Sequence, residues 1–266
     1  MSVFMDLNLN YTTDKSRMRS LIETAAHRES KAPKAPKAHV TCMTKMKMKR
    51  TCCLCGNTCL CLPQGRSRPI RVLNRLTVVM SDSSHFVSRP NAAEYRGFDL
   101  LAVQPTTEKL FHAACMLYEV DIICVSVTEK LPFFFKRAPV NGAVGRGVVF
   151  EVSYSAAIRD STRRRYTIAN AVSLMESCRG KNVILSSAAE KPLEIRGPYD
   201  ITNLGLLFGL SDADAKDAVS TTCRSVVLHA ETRKLASGII YTMKSSTESS
   251  SLQGAPPADS RSHPPT

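Results

Sequence analysis

No run of eighteen consecutive apolar residues occurs in the 266-residue chain, which argues against a membrane-spanning helix. The first residues lack the basic start, apolar run and small-residue cleavage pattern of a secretory signal, so an intracellular protein without membrane contact is expected. In that setting the ten cysteines should be reduced thiols, because cytosol and nucleus oppose stable disulfides. Acid is in short supply: 23 Asp or Glu face 36 Lys or Arg, leaving a net charge of +13. A polyanionic partner follows, most often a nucleic acid, although composition alone does not separate RNA from DNA or an anionic membrane surface. Histidine is also scarce, with six residues, and this limits metal chemistry below.

What is present suits a folded domain, since a hydrophobic content of 43% supplies a core. Val3 to Leu7 predicts a short strand, and Met18, Leu21, Ile22 and Ala25 recur at helical spacing between Ser16 and Ala26. Ile70 to Met80 is rich in β-branched residues. Phe98 to Val103, Ile122 to Val127, Gly147 to Tyr154 and Asn182 to Ser186 are near-uniform apolar strands. Between them, Thr106 to Leu117 predicts a helix with Leu110, Ala113, Ala114 and Leu117 inward, and Thr162 to Cys178 is the strongest helix. Strands apolar on both faces suit a parallel sheet covered by helices. Alternating strands and helices over about 240 residues favour a closed (β/α) barrel over an open doubly wound sheet.

The charge is unevenly spread. Arg28 to Arg50 holds eight Lys or Arg and one acid, a local charge of +7, so the remaining basic residues must be weighed by position. Arg163, Arg164 and Arg165 fall in the first turn of the strongest helix, with Asp160 or Ser161 as its N-cap. Cations there oppose the helix dipole, each at a cost of roughly 0.3 to 1 kcal/mol. Backbone N–H groups and guanidinium forks aimed at one point make a phosphate site. The pattern recurs: Lys130, Lys136 and Arg137 follow strand 122–127, and Lys191 and Arg196 follow strand 182–186. In a (β/α) barrel such loops open on one face, the C-terminal one, giving a groove suited to a phosphate backbone. Phe133, Phe134 and Phe135 lie inside the first basic loop. Three consecutive aromatics cannot share one direction, so packing in the core or at a subunit contact is favoured over stacking on RNA bases.

Three stretches carry a more specific signal: VTEKLPFFFKR ending at Arg137, DSTRRRYTIANAVSLM from Asp160 to Met175, and KNVILSSAAEKPLEIRGPYDITNLGLLFGL onward from Lys181. Together they resemble the thirty-kilodalton protein subunit family of ribonuclease P, over Met1 to His27 and Gln64 to about Thr242. The resemblance implies a variant TIM barrel akin to the polymerase and histidinol phosphatase barrels, spanning residues 1–242. It implies a non-catalytic subunit that supports the RNA enzyme as it removes 5′ leaders from precursor tRNA, and the same for ribonuclease MRP in ribosomal RNA processing. The implied partners are the ribonuclease P and MRP RNAs, other protein subunits and, through the complex, precursor tRNA; the implied location is nucleus and nucleolus. No cofactor is expected on this chain, and Mg2+ is expected on the holoenzyme RNA. Arg163, Arg164, Arg165, Lys130, Lys136, Arg137, Lys181, Lys191 and Arg196 are the expected RNA contacts, with Arg66 and Arg68 as weaker ones.

Residues 28–63 depart from the family, running KAPKAPKA and then CMTKMKMKRTCCLCGNTCLC where an apolar second strand and its helix belong. An alternative exon or shifted reading frame is expected, and with it a barrel whose second strand is missing or distorted. Within this segment Cys52 and Cys55 form a CxxC knuckle beside Cys42, Cys53, Cys59 and Cys61, but the irregular spacing does not support zinc. Residues 243–266, rich in Ser and Pro, are expected to form a disordered tail.

Two rivals stay open, a metal-dependent phosphoesterase on the same barrel and a scaffold that binds only proteins. The related phosphatases begin with His-x-His at the end of the first strand. This chain has Asp6-Leu7-Asn8, and only His85 follows a predicted strand, short of the three or four ligands of a catalytic site. GAVGRG at 142–147 precedes a strand instead of linking strand to helix, so it predicts a turn and not a phosphate loop. His112 and His229 sit in helical patterns, packed or solvated.

Overall fold

Backbone pairing along seven short strands organises the chain. The computed structural model describes residues 5–10, 15–30, 40–46, 71–81, 95 and 98–235. Arg66, Arg68, His85, Cys52 to Cys61 and residues 243–266 lie outside the described residues. The elements run β1 (Asp6–Asn10), α1 (Lys15–Ser30), β2 (Val40–Met46), β3 (Arg71–Met80), β4 (Leu100–Pro105), α2 (Glu108–Met116), β5 (Ile122–Cys124) and α3 (Arg137–Gly145). They continue as β6 (Val149–Ser153), α4 (Ser155–Arg159), α5 (Ser161–Cys178), β7 (Val183–Ser186), α6 (Pro198–Leu207), α7 (Asp212–Asp217) and α8 (Thr221–Lys234).

All strands are parallel and lie in sequence order from β1 to β7. The sheet curls until its ends meet: Leu9 bridges Ala189, and Ala188 N–H donates to the Asn8 carbonyl at 2.8 Å. That seam is one bridge long among the described residues, so the sheet is barrel-like with an incomplete seam. Alternation along each strand sorts the side chains. Leu73, Leu100, Ile122, Val149 and Ile184 point inward against Cys223, Val226 and Ala230 of α8. Leu101, Val103, Ile123, Phe150, Val152 and Leu185 point outward to the helices. Burial on both faces is why these strands are near-uniformly apolar.

One expectation is corrected at β2. Val40–Met46, inside the segment read as replacing the second strand, occupies that slot, with seven consecutive pairings to β3 from Val40–Arg71 to Met46–Thr77. A parallel ladder is made by backbone groups, so a run as unlike the family pattern as VTCMTKM can still fill it. The irregularity that remains is a register shift between Asp6 and Leu9 on the β1 side.

A second correction concerns GAVGRG, whose first four residues end helix α3. Pro139 is tolerated in the first turn, where its missing N–H had no intrahelical partner. The turn itself falls at Gly147, with φ +78°. Leu117 also departs from expectation: α2 ends at Met116, and Leu117 stands 70% exposed while Phe111 and Cys115 are buried.

At the N-terminal end of the strands, α8 is clamped by Asp121, which is fully buried. Its carboxylate accepts from Leu101 N–H at 2.8 Å and from Arg233 at 3.0 and 2.8 Å, and it meets His229 Nδ1 at 2.9 Å. His229 thus holds the helix that caps the sheet interior.

Candidate nucleic-acid interface

Strands β5, β6 and β7 are neighbours in the sheet, so the loops leaving their C-terminal ends lie side by side. Lys130, Lys136 and Arg137 stand on the first loop, Arg163, Arg164 and Arg165 on the second, Lys191 and Arg196 on the third. All are exposed except Arg196, which is half-buried. Lys181 is not with them: it lies in the turn between α5 and β7, at the opposite, N-terminal end of the strands.

The middle loop is built on a capped helix start. Asp160 accepts from Thr162 N–H at 2.9 Å, and the first turn of α5 contains no acid. Arg164 is partly committed, its Nε donating to the Ala157 carbonyl at 2.9 Å. Arg163 lies 3.9 Å from the Asp160 carboxylate across an exposed gap, and ion pairs in water are weak. Lys136 is engaged with Glu108 at 2.7 Å. Lys130, Arg137 and Arg165 make no ion pair among the described residues.

Cross-links hold the three loops in one arrangement. Asn170, on α5, donates to the carbonyls of Val127 at 3.0 Å and Glu129 at 2.8 Å, tying the second loop to the first. Ser177 donates to the Phe135 carbonyl at 3.2 Å. Arg159 reaches Glu190 at 3.1 Å and Glu194 at 3.0 Å, tying the second to the third. Glu194 is buried, and its other oxygen accepts from the N–H groups of Glu190 at 2.8 Å and Lys191 at 3.2 Å. Sequence alone does not single out Arg159, Asn170 and Glu194, because a pattern of phosphate-binding cations passes over the groups that fix them.

The aromatic triplet divides. Phe133 and Phe135 pack on Phe111 with ring centroids 5.3 and 5.5 Å away, whereas Phe134 is 88% exposed.

Inside the sheet lies a polar cluster. Arg75 is buried and donates to Glu151 at 2.6 and 2.5 Å, to the Leu7 carbonyl at 3.0 Å and to Thr77 at 3.1 Å. Cys124 donates to Glu151 at 3.0 Å. Burial pushes the Glu151 carboxyl up, but Arg75 outweighs it and holds Glu151 below the usual carboxylate range. Asp6 has no such cation: burial raises it to about 6, against the pull of hydrogen bonds from Ser187 and Asn8. Its Oδ1 accepts from Asn8 N–H and Ser187 N–H, both at 3.1 Å, which stitches β1 to the end of β7. No group of three His, Cys, Asp or Glu placed to hold a metal exists among the described residues. A base inside the strand RVLNRLTVVM, Arg75, and the single acid in VVFEVS, Glu151, are the signal for the pair, since buried charges need partners.

A parallel, barrel-like α/β protein with its cations gathered at strand ends is the class these features define. The chain belongs to the RNase P subunit p30 family, whose model matches residues 3–235. It is 53% identical to the Mus musculus ribonuclease P protein subunit p30 over 248 residues, 92% of each chain. The Saccharomyces cerevisiae ribonuclease P/MRP protein subunit RPP1 is 27% identical over 164 residues, 62% of this chain and 55% of that protein. Among solved structures, a chain from archaeal ribonuclease P with mature tRNA superposes with a TM-score of 0.61 at 15% identity, covering 90% of this chain and 99% of its own. That likeness carries the fold.

Proposed function

We propose that this chain is an RNA-binding subunit of ribonuclease P, supporting the catalytic RNA as it removes 5′ leaders from precursor tRNA. Family membership along nearly the whole chain carries this reading. The naming of the budding yeast relative as a ribonuclease P/MRP subunit extends it to the MRP particle, with the two RNAs and the other protein subunits as partners. The work falls in the nucleus and nucleolus. Mg2+ belongs to the RNA, and this chain contributes position and charge.

The strand-end loops have the chemistry for that role. A phosphate at the start of α5 would meet the guanidinium of Arg165, while Lys130, Arg137, Lys191 and Arg196 extend the positive edge over the adjacent loops. Contacts of this kind fix orientation on RNA without reading sequence. Isolation of the tagged full chain from cells tests the proposal: ribonuclease P RNA and precursor-tRNA cleavage should copurify, and recovery of neither would refute it.

A further inference from the structure

The exposed ring of Phe134 is difficult to explain as packing. Its neighbours Phe133 and Phe135 are buried and anchored on Phe111, and against each other they meet edge-on at 5.9 Å. Pro132 restricts the chain before them, and the Phe135 carbonyl is held by Ser177. The loop is therefore pinned on both sides of the ring it displays, so covering that ring would cost little freedom. Cations surround it in sequence, Lys130 before and Lys136 and Arg137 after. A second exposed aromatic lies on the helix that braces this loop. Tyr166 is 38% exposed on α5, one turn before Asn170, whose side chain grips the Val127 and Glu129 carbonyls of the same loop. Arg163 lies one turn earlier on that helix side.

Aromatic rings set among cations on a rigid loop suit a strand with unstacked bases: rings take the base faces and cations the phosphates. A continuous RNA duplex offers no free base face, and RNA recognition beyond shape targets loops, bulges and ends. The cations that flank this ring in sequence, Lys130, Lys136 and Arg137, favour a polyanionic partner. We infer that Phe134 is a stacking platform for an unpaired nucleobase, so that the basic face receives a single-stranded or looped element of RNA. This rests on the RNA-binding reading above.

Titrations of the full-length chain with single-stranded oligouridylate and with a blunt RNA duplex of equal length, each over a salt series, test the inference. Phe134→Ala should weaken single-strand binding about 5- to 150-fold, leave duplex binding unchanged, and leave the salt slope unchanged because the charge is the same. Phe134→Trp should keep the affinity and Phe134→Leu should not, since leucine offers apolar area without a π-face. Unchanged single-strand affinity in Phe134→Ala, equal weakening on both RNAs, or full rescue by leucine would each overturn the platform. If the wild-type chain binds neither RNA in a salt-dependent way, the RNA-binding reading falls as well; salt-dependent binding indifferent to Phe134 removes the platform alone.

Discussion

Arg75→Met should be among the most damaging single substitutions in this chain. The guanidinium is buried inside the sheet, and it holds both oxygens of Glu151, at 2.6 and 2.5 Å, as well as the Leu7 carbonyl at 3.0 Å. Methionine fills much of the volume but leaves a buried carboxylate without its cation. Breaking a buried pair from one side costs about 3 to 5 kcal/mol, set against total stabilities of roughly 5 to 15 kcal/mol. Part of that loss should be relieved by proton uptake on Glu151, so the variant should be less damaged at low pH. The double variant Arg75→Met, Glu151→Leu removes both charges and should recover most of the loss, because an apolar replacement of a buried pair is often neutral or better. Urea unfolding of the purified full-length proteins reads all three. A single-variant loss below about 1 kcal/mol, or a double variant no better than the single, would refute the assignment of this pair as the charge-balanced centre of the interior.

Asp6 gives a pH prediction of opposite sign to that of a salt-bridged acid. Its folded value, about 6, lies above its ordinary 3.8, so the native state binds the proton more tightly and stability falls as pH rises from about 4 to 6, by roughly 3 kcal/mol. Asp6→Asn should flatten that fall; an unchanged pH profile would contradict it. Glu194→Ala should free the Lys191 loop and its tie to Arg159, at about 1 to 3 kcal/mol, read as faster tryptic cleavage at Arg196; unaltered cleavage would show that the loop is held otherwise. The pure, RNA-free chain should not cleave precursor tRNA with Mg2+ present, and cleavage abolished by Asp6→Ala would establish the phosphoesterase alternative.

Strands β4 to β7 were legible because burial on both faces leaves an apolar run, β3 because it is rich in β-branched residues, and α5 because Asp160 caps it. Helix α3 was not, since Pro139, Gly142 and Gly145 break helical propensity while their positions in the first and last turns make them tolerable. Strand β2 hid within lysine-rich sequence because pairing on both edges, and not its composition, makes it a strand. Most of the basic edge was visible from the rule that loops after parallel strands share a face. Lys181, named as an RNA contact, stands apart from that edge because it precedes β7 instead of following it. The Arg75–Glu151 pair joins positions 76 residues apart, beyond the reach of any local pattern.

The central claim is that the strand-end cations bind RNA phosphates, and the salt dependence of binding measures it most directly. Affinity of the full-length chain for ribonuclease P RNA should fall linearly with salt on a log–log plot. Replacing Arg163, Arg164 and Arg165 with alanine should reduce both the affinity and the slope, by about 0.7 to 0.9 for each phosphate left unneutralised. Arg165 should contribute most, because Arg164 is committed to Ala157 and Arg163 faces Asp160. An unchanged slope in the triple variant would contradict the account.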